Sequence, residues 1–331
     1  MERVTIKDVA REAGVSISTV SNALNGVDVL HPDTKAHILK VAERLHYIPN
    51  LNGRNLKAHA TRTIGLFAPY VGGPYAGAIA DYMARECRYA GYELDIFVTN
   101  KDDSVMKNLL GRRVDGAVIL NSTLSEWQEE EIQSAEIPVV FLNKRIAGAN
   151  QTGVYFDSYE AGKMAAELFL RKGFKRIGLI EGPDNFDARE RSMGFRKVIK
   201  ESGISLAEHF VWQGGFSRET SFAAVEHYLQ LQKKSEKINL PEAIFATNDL
   251  SAIGCMEALA QYGIKVPETV RILGCDDIEL CHYVRPSLST IKTNFEEQGI
   301  VAVKSLLKML NGEKQGREMC LSCSIVERDS I

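Results

Sequence analysis

Two periodicities divide the chain. Over the first fifty residues apolar positions recur three and four apart, whereas from Thr63 onward short apolar runs alternate with amphipathic stretches. Ile6, Val9, Ala10 and Ala13 mark one face of a first helix, with Thr5 and Asp8 placed as a capping box. Gly14 falls where that helix must end in a left-handed residue, which glycine adopts at little steric cost. Ser16 is positioned to cap a second helix that turns Val20, Ala23 and Leu24 inward. Ile17, Ser18, Ser21, Asn22 and Asn25 share its opposite face. A third helix opens at Pro32 and Asp33 and carries Ile38, Val41, Ala42 and Leu45 as its stripe. His31 stands where Ser or Asp would cap better, and Ile48-Pro49-Asn50 closes the unit.

The second helix has a polar face with no evident partner inside the protein. Short polar side chains at a helix N-terminus suit the major groove, since they reach base edges without bulk. Asn22 has the chemistry for a bidentate bond to adenine, and Ile17 for contact with a thymine methyl. A small helical bundle with a solvated Ser/Asn face has the same spacing. Periodicity does not choose between the two.

In the body, Ile64–Ala68, Leu94–Val98, Ala117–Leu120 and Val139–Leu142 read as one set of strands. Arg176–Ile180, Ala243–Ala246 and Ile272–Cys275 read as another. Apolar strands between helices imply parallel sheets covered on both faces, and their number implies two lobes. Ligands of such sheets bind beyond the carboxyl ends of the strands. The loops there hold Pro69-Tyr70-Val71-Gly72-Gly73-Pro74-Tyr75, Asn121-Ser122, Asn143-Lys144-Arg145, Asp157, Asn248-Asp249 and Asp276-Asp277. Carboxylates, amides and an aromatic platform suit a polyhydroxylated ligand, whose hydroxyls both donate and accept. Any one Asp or Asn there can instead cap a helix, which is the role assigned to Asp249 and Asp277.

The order V-T-I-K-D-V-A-R-E-A-G-V-S, then S-T-V-S-N-A-L-N-G, then L-H-Y-I-P-N, resembles the DNA-binding headpiece of the lactose/galactose repressor (LacI–GalR) family. The likeness continues through the family's effector domain to about residue 328. It implies an all-α helix-turn-helix headpiece over residues 1–49, a hinge over 50–62 and an effector-binding and dimerisation domain over 63–331. That domain is then an α/β two-lobed, periplasmic-binding-protein-like fold of parallel sheets with three crossovers. One lobe takes roughly residues 63–160 with 292–322, and the other 161–291. The function implied is a homodimeric repressor of carbohydrate-utilisation genes, binding a palindromic operator in double-stranded DNA and controlled by a sugar or sugar phosphate.

The residues implied to contact DNA are Thr5, Ser16, Ile17, Ser18, Thr19, Ser21, Asn22, Asn25 and Tyr47, with Leu56 and Lys57 in the hinge. Leu56 would wedge into the minor groove and Lys57 would hold phosphate beside it. Family members usually carry alanine where this chain has Gly53, and glycine lowers helicity by ~1 kcal/mol. Effector contact is carried over to Tyr75, Asn143, Asp187, Arg191, Phe216, Asn248 and Asp276. Asn143 replaces a common aspartate, and Lys144 with Arg191 hints at an anionic effector.

Charge adds modest support. Residues 1–62 hold nine Lys/Arg against six Asp/Glu, while the remainder holds 31 against 37. No signal peptide opens the sequence and no apolar run reaches the ~18 residues of a membrane helix, so a cytoplasmic protein is expected. Cys320 and Cys323 lie in a stretch, Met319–Val326, that reads as a single strand and sends them to opposite faces. No zinc pattern completes around them, and no metal or cofactor is expected. Nucleophile-elbow, P-loop and H-E-x-x-H motifs are missing, which argues against an enzyme. The sequence ends without a heptad-rich helix, so a coiled-coil tetramer is not expected. A solute-binding sensor and a sugar-acting α/β enzyme are the competing readings.

Overall fold

The computed structural model describes residues 4–24, 29–48, 60–99, 101–232, 238–313 and 315–331. Asn25, Gly53, Leu56 and Lys57 lie outside the described residues. The chain forms two compact units, residues 1–61 and 62–331.

In the first unit α1 (Ile6–Ala13), α2 (Ile17–Leu24) and α3 (Pro32–Arg44) pack around Val9, Val20 and Ile38, all fully buried. Local chemistry sets the helix ends. Asp8 accepts from the Thr5 backbone N–H at 2.9 Å and from its hydroxyl at 2.7 Å, completing the capping box. Gly14 takes φ 66°, and Val15 N–H then closes onto the Ala10 carbonyl at 3.1 Å. His31 precedes α3 without donating or accepting a capping bond. Arg44 on α3 pairs with Glu12 on α1 at 2.5 Å.

The second unit alternates strand and helix as the apolar runs predict. It begins β1 (Thr63–Ala68), α4 (Pro74–Tyr89), β2 (Glu93–Val98), α5 (Asp102–Leu110), β3 (Gly116–Leu120) and α6 (Glu126–Ser134). Next come β4 (Val139–Leu142), a short β5 (Ala147–Gly148), β6 (Gln151–Phe156), α7 (Ser158–Arg171), β7 (Ile177–Glu181) and α8 (Phe186–Glu201). β8 (Val211–Gln213), α9 (Arg218–Gln232), β9 (Ala243–Ala246), α10 (Asp249–Gln261), β10 (Arg271–Asp276) and β11 (Ser289–Thr293) follow. The unit ends with α11 (Phe295–Leu310), β12 (Glu318–Leu321) and β13 (Cys323–Val326).

Two sheets result. One runs β12-β6-β4-β3-β1-β2, parallel apart from β5 on β6; the other runs β13-β11-β10-β9-β7-β8, parallel apart from β13. Helices cover both faces of each, so the central strands are largely buried, from end to end in β3 and β9. The chain changes sheet at Asp157, Asn294 and Ser322, each a single residue between elements of different lobes.

One expectation fails here. Met319–Val326 is not one strand: it is two, β12 and β13, in different sheets. Ser322 is the crossover, so Cys320 and Cys323 belong to different lobes and their facing follows no single pleat. β6 and β11 also go unpredicted, because Gln151, Thr152, Ser289 and Thr290 look too polar for buried strands. These polar groups are answered from elsewhere in the fold: Gln151 donates to the Glu129 carbonyl at 2.8 Å, and Thr290 to Asp249 at 2.6 Å.

Candidate DNA-reading face and ligand cleft

In the first unit, Ser16 accepts from the Thr19 backbone N–H at 3.1 Å and thereby caps α2. Its hydroxyl also lies 2.7 Å from those of Ser18 and Thr19, so three hydroxyls form one cluster at the helix start. Ile17 and Ser18 are exposed, Ser21 and Asn22 half-buried on the same helix, and Val20 and Ala23 packed beneath. Thr5 is exposed at the start of α1, and Tyr47 packs partly into the core beyond α3. Ile17 is 46% exposed, leaving apolar surface in solvent on the face that also carries Ser18.

In the second unit a cavity of about 310 Å³ lies between the lobes. All seven residues named for effector contact line it, and each arrives from the carboxyl end of a strand or the helix that follows. Tyr75 opens α4, and Asn143 follows β4. Asp187 and Arg191 lie on α8 after β7; Phe216 follows β8, Asn248 follows β9, and Asp276 ends β10. Several hold backbone that L-residues seldom adopt: Asn143 at φ 58°, Phe216 at 59° and Asp276 at 128°. Strained backbone gathered at one cleft is a common mark of a functional site.

Close packing makes these placements possible. A Cβ on Gly182 would meet the Phe216 ring at 2.3 Å, so only a glycine lets that ring lie over the end of β7. The cleft's charges are compact and buried. Arg191 Nη2 pairs with Asp276 at 2.9 Å, and Nη1 donates to the Thr247 carbonyl at 2.6 Å. Its Nε is buried without a hydrogen-bond partner. The guanidinium stays charged, held above its ordinary range by Asp276 and Asp187 against the cost of burial. Burial pushes Asp276 up to about 7, opposed by Arg191 and reinforced by Asp249 and Asp187. Asp187 is raised by burial too, against Arg191 and the Ser158 hydroxyl that donates to it at 2.7 Å.

Three assignments from sequence are corrected. Asn248, not Asp249, caps α10, accepting from Ser251 N–H at 2.9 Å. Asp249 is fully buried and instead ties the Ile278 N–H, at 2.9 Å, to the β11 threonine. Asp277 is no cap either, because Arg328 takes its carboxylate at 2.6 Å. Lys144 does not line the cavity: its ammonium pairs with Glu129 and sits over the Phe141 ring, on the far side of β4.

Other residues of the cavity wall were left out of the sequence-based set. Tyr70 and Asn121 stood in loops already marked, whereas Asn185, Phe156 and Phe295 had no signal beyond their strand–helix junctions. Arg145 closes one edge of the cleft, pairing with Glu190 of the opposite lobe at 2.9 Å. Tyr155 and Phe186 meet edge to face across the same line, with centroids 5.7 Å apart. Among the described residues no cluster of three or more His, Cys, Asp or Glu is placed to hold a metal ion. No helix of these residues is long and apolar enough to cross a membrane.

Residues 5–50 match the model for bacterial regulatory proteins of the lacI family, and residues 166–331 match a periplasmic binding protein-like domain. A probable HTH-type transcriptional repressor, ExuR of Bacillus subtilis, is 31% identical over 99% of this chain and 98% of its own length. The chain belongs to the LacI family. Another relative of this LacI-family protein, the HTH-type transcriptional repressor PurR of Actinobacillus pleuropneumoniae, is 30% identical over 94% of this chain and 92% of its own length. The Lac repressor dimer bound to operator and the anti-inducer ONPF superposes with a TM-score of 0.85, at 25% identity over 99% of both chains. This LacI-family protein is therefore a DNA-binding transcriptional repressor and not an enzyme.

Proposed function

We propose that the protein is a cytoplasmic, homodimeric repressor whose hold on a palindromic operator is set by an uncharged sugar bound between its lobes. Residues 1–49 read the DNA, 50–62 act as the hinge, and 63–331 bind the effector and the second subunit. Ile17, Ser18 and Asn22 choose the sequence. Thr5, Ser16, Thr19, Ser21, Asn25 and Tyr47 support backbone contact, with Leu56 and Lys57 in the minor groove. The genes controlled are those for carbohydrate use.

The observation that carries the reading is the composition of the cavity wall. Aromatic rings of Tyr70, Tyr75, Phe156 and Phe295 stand opposite Asp187, Arg191, Asn185 and Asn248. That combination offers an apolar platform to a sugar's C–H face and paired donors and acceptors to its hydroxyls. A sugar phosphate is the poorer fit. Arg191 is the one cation on the described wall, and Asp276 already engages it, while Asp187 adds a second carboxylate. The positive starts of α4, α8 and α10 offset part of that charge without reversing it.

A second copy is supported by apolar surface on the outside of the unit. Ile96 and Val98 are 46% and 57% exposed on the edge strand β2, and Leu280 and Tyr283 are exposed beyond β10. Sedimentation tests that part: a monomer at micromolar concentration would sink it. For the whole reading, a gel shift on random palindromic DNA is repeated with a panel of neutral sugars and their phosphates. A neutral sugar should change operator affinity and raise Tm by mass action. Response to phosphates alone would overturn the choice of effector.

A further inference from the structure

At the edge of the cleft lies a ring of hydrogen bonds that the function above does not use. Tyr75 Oη donates to Gln298 Oε1 at 2.8 Å, and Gln298 Nε2 donates to Asn143 Oδ1 at 3.0 Å. Asn143 Nδ2 closes the circle by donating to Tyr75 Oη at 3.0 Å. The second N–H of each amide is taken as well: Asn143 donates to Asn121 at 3.3 Å, and Gln298 to the Val154 carbonyl at 3.2 Å. Every N–H and O–H of the three side chains is therefore spent inside the protein. Gln298 is fully buried on α11 and does not reach the cavity, whereas Tyr75 and Asn143 line it.

The opposite wall differs in kind. Arg191 Nε is buried there without a partner, and Asp187, Asp276 and Asn185 face the same space. One lobe holds unspent hydrogen-bonding capacity; on the other, Tyr75 and Asn143 have spent their donors, and the polar groups beside them belong to Tyr70 and Asn121. A buried amide with all of its donors engaged gains nothing from a ligand hydroxyl, because a new bond must break an old one.

We propose that Gln298 is a positioning residue for effector selection: by closing the ring with Tyr75 and Asn143 it withdraws their donors from the ligand. The effector's hydroxyls are then read by Asp187, Arg191 and Asp276, while Tyr75 offers its ring to the ligand's apolar face. This rests on the sugar reading given above. It adds that the two lobes divide the work, and that a residue outside the cavity enforces the division.

Crystal structures of the wild type, Gln298→Leu and Gln298→Glu test the ring without any ligand. In Gln298→Leu the Asn143 amide should turn an N–H into the cavity and Tyr75 should leave its place. Both side chains unmoved would overturn the proposal. Gln298→Glu keeps the acceptor for Tyr75 and, once protonated, regains the donor to Asn143, so it should rescue the wild-type arrangement in acid and lose it as pH rises. This variant also serves if the leucine protein does not fold.

Thermal shifts with D-glucose, D-galactose, D-ribose and cellobiose supply the functional readout. Gln298→Leu should change the preference among these sugars by about tenfold, one hydrogen bond's worth, with operator affinity in their absence unchanged. Unchanged preference with a disrupted ring would also overturn it. Should no sugar bind the wild type, the sugar reading fails, and the crystal structures still decide whether Gln298 positions Tyr75 and Asn143.

Discussion

Arg191 and Asp276 face each other at 2.9 Å in the wall of the cleft, both almost closed to solvent. Removing one partner of such a pair leaves the other charge buried and unanswered. Arg191→Ala should therefore lower stability by about 3–5 kcal/mol, measured by urea denaturation, and abolish any sugar response. A loss below about 1 kcal/mol would mean that water already reaches the pair.

The same pair sets a pH dependence. Asp276 is raised to about 7 in the folded protein, so between roughly pH 4 and 7 the folded state binds the proton more than the unfolded state does. Its contribution to stability is then present in mild acid and declines as pH rises through the folded value. Asp187, raised in the same direction, adds to the slope. Calorimetry should give a Tm that falls between pH 5 and 8, with Asp276→Asn flatter across that interval. An equal slope in both proteins would contradict the assignment.

Arg191 is held in place by two glycines. Where α7 crosses α8, a Cβ on Gly162 would stand 2.0 Å from the Arg191 carbonyl oxygen, and one on Gly194 would stand 2.0 Å from that of Tyr159. Both neighbours are helix backbone and cannot step aside. Gly194→Ala should cost about 1–3 kcal/mol in overpacking, against the gain alanine brings to an open helix. Thermal denaturation measures the loss, and a stabilised protein would refute the contact.

Arg145 and Glu190 join the lobes at the cleft edge, with side chains 51% and 22% exposed. A pair that open to water contributes only about 0–1 kcal/mol to folding. Glu190→Gln should thus leave Tm nearly unchanged while favouring the open arrangement of the lobes, seen as a larger radius of gyration in X-ray scattering. No change in scattering would leave Tyr155 and Phe186 as the contacts that hold the edge.

At the DNA-reading face, Asn22→Ala should cost about 1–3 kcal/mol at its own base pair and leave the salt dependence of binding nearly unchanged. Operator variants scored by gel shift at two salt concentrations separate the cases. A uniform loss on every sequence would make Asn22 a backbone contact instead.

Much of the architecture could be read in the chain itself. Helix periodicity, the Thr5 and Asp8 cap and Gly14 specify α1 and α2, because each acts within one turn of its own position. Apolar strands between amphipathic helices likewise dictate parallel sheets, and the strand ends then carry the cleft residues without further information. The tertiary structure alone decided how those residues are spent. Lys144 looked cationic and available until Glu129 took it; Asp249 and Asp277 looked like caps until Thr290 and Arg328 claimed them. Met319–Val326 reads as one strand, since nothing local marks Ser322 as the point where the chain leaves one sheet for the other. Gln298 stood unmarked on an amphipathic helix, 155 residues from the asparagine it engages. Short-range order follows from backbone and side-chain preferences that each residue carries with it. Partnership between distant polar groups follows from which of them the fold buries together, and burial is a property of the assembled lobes.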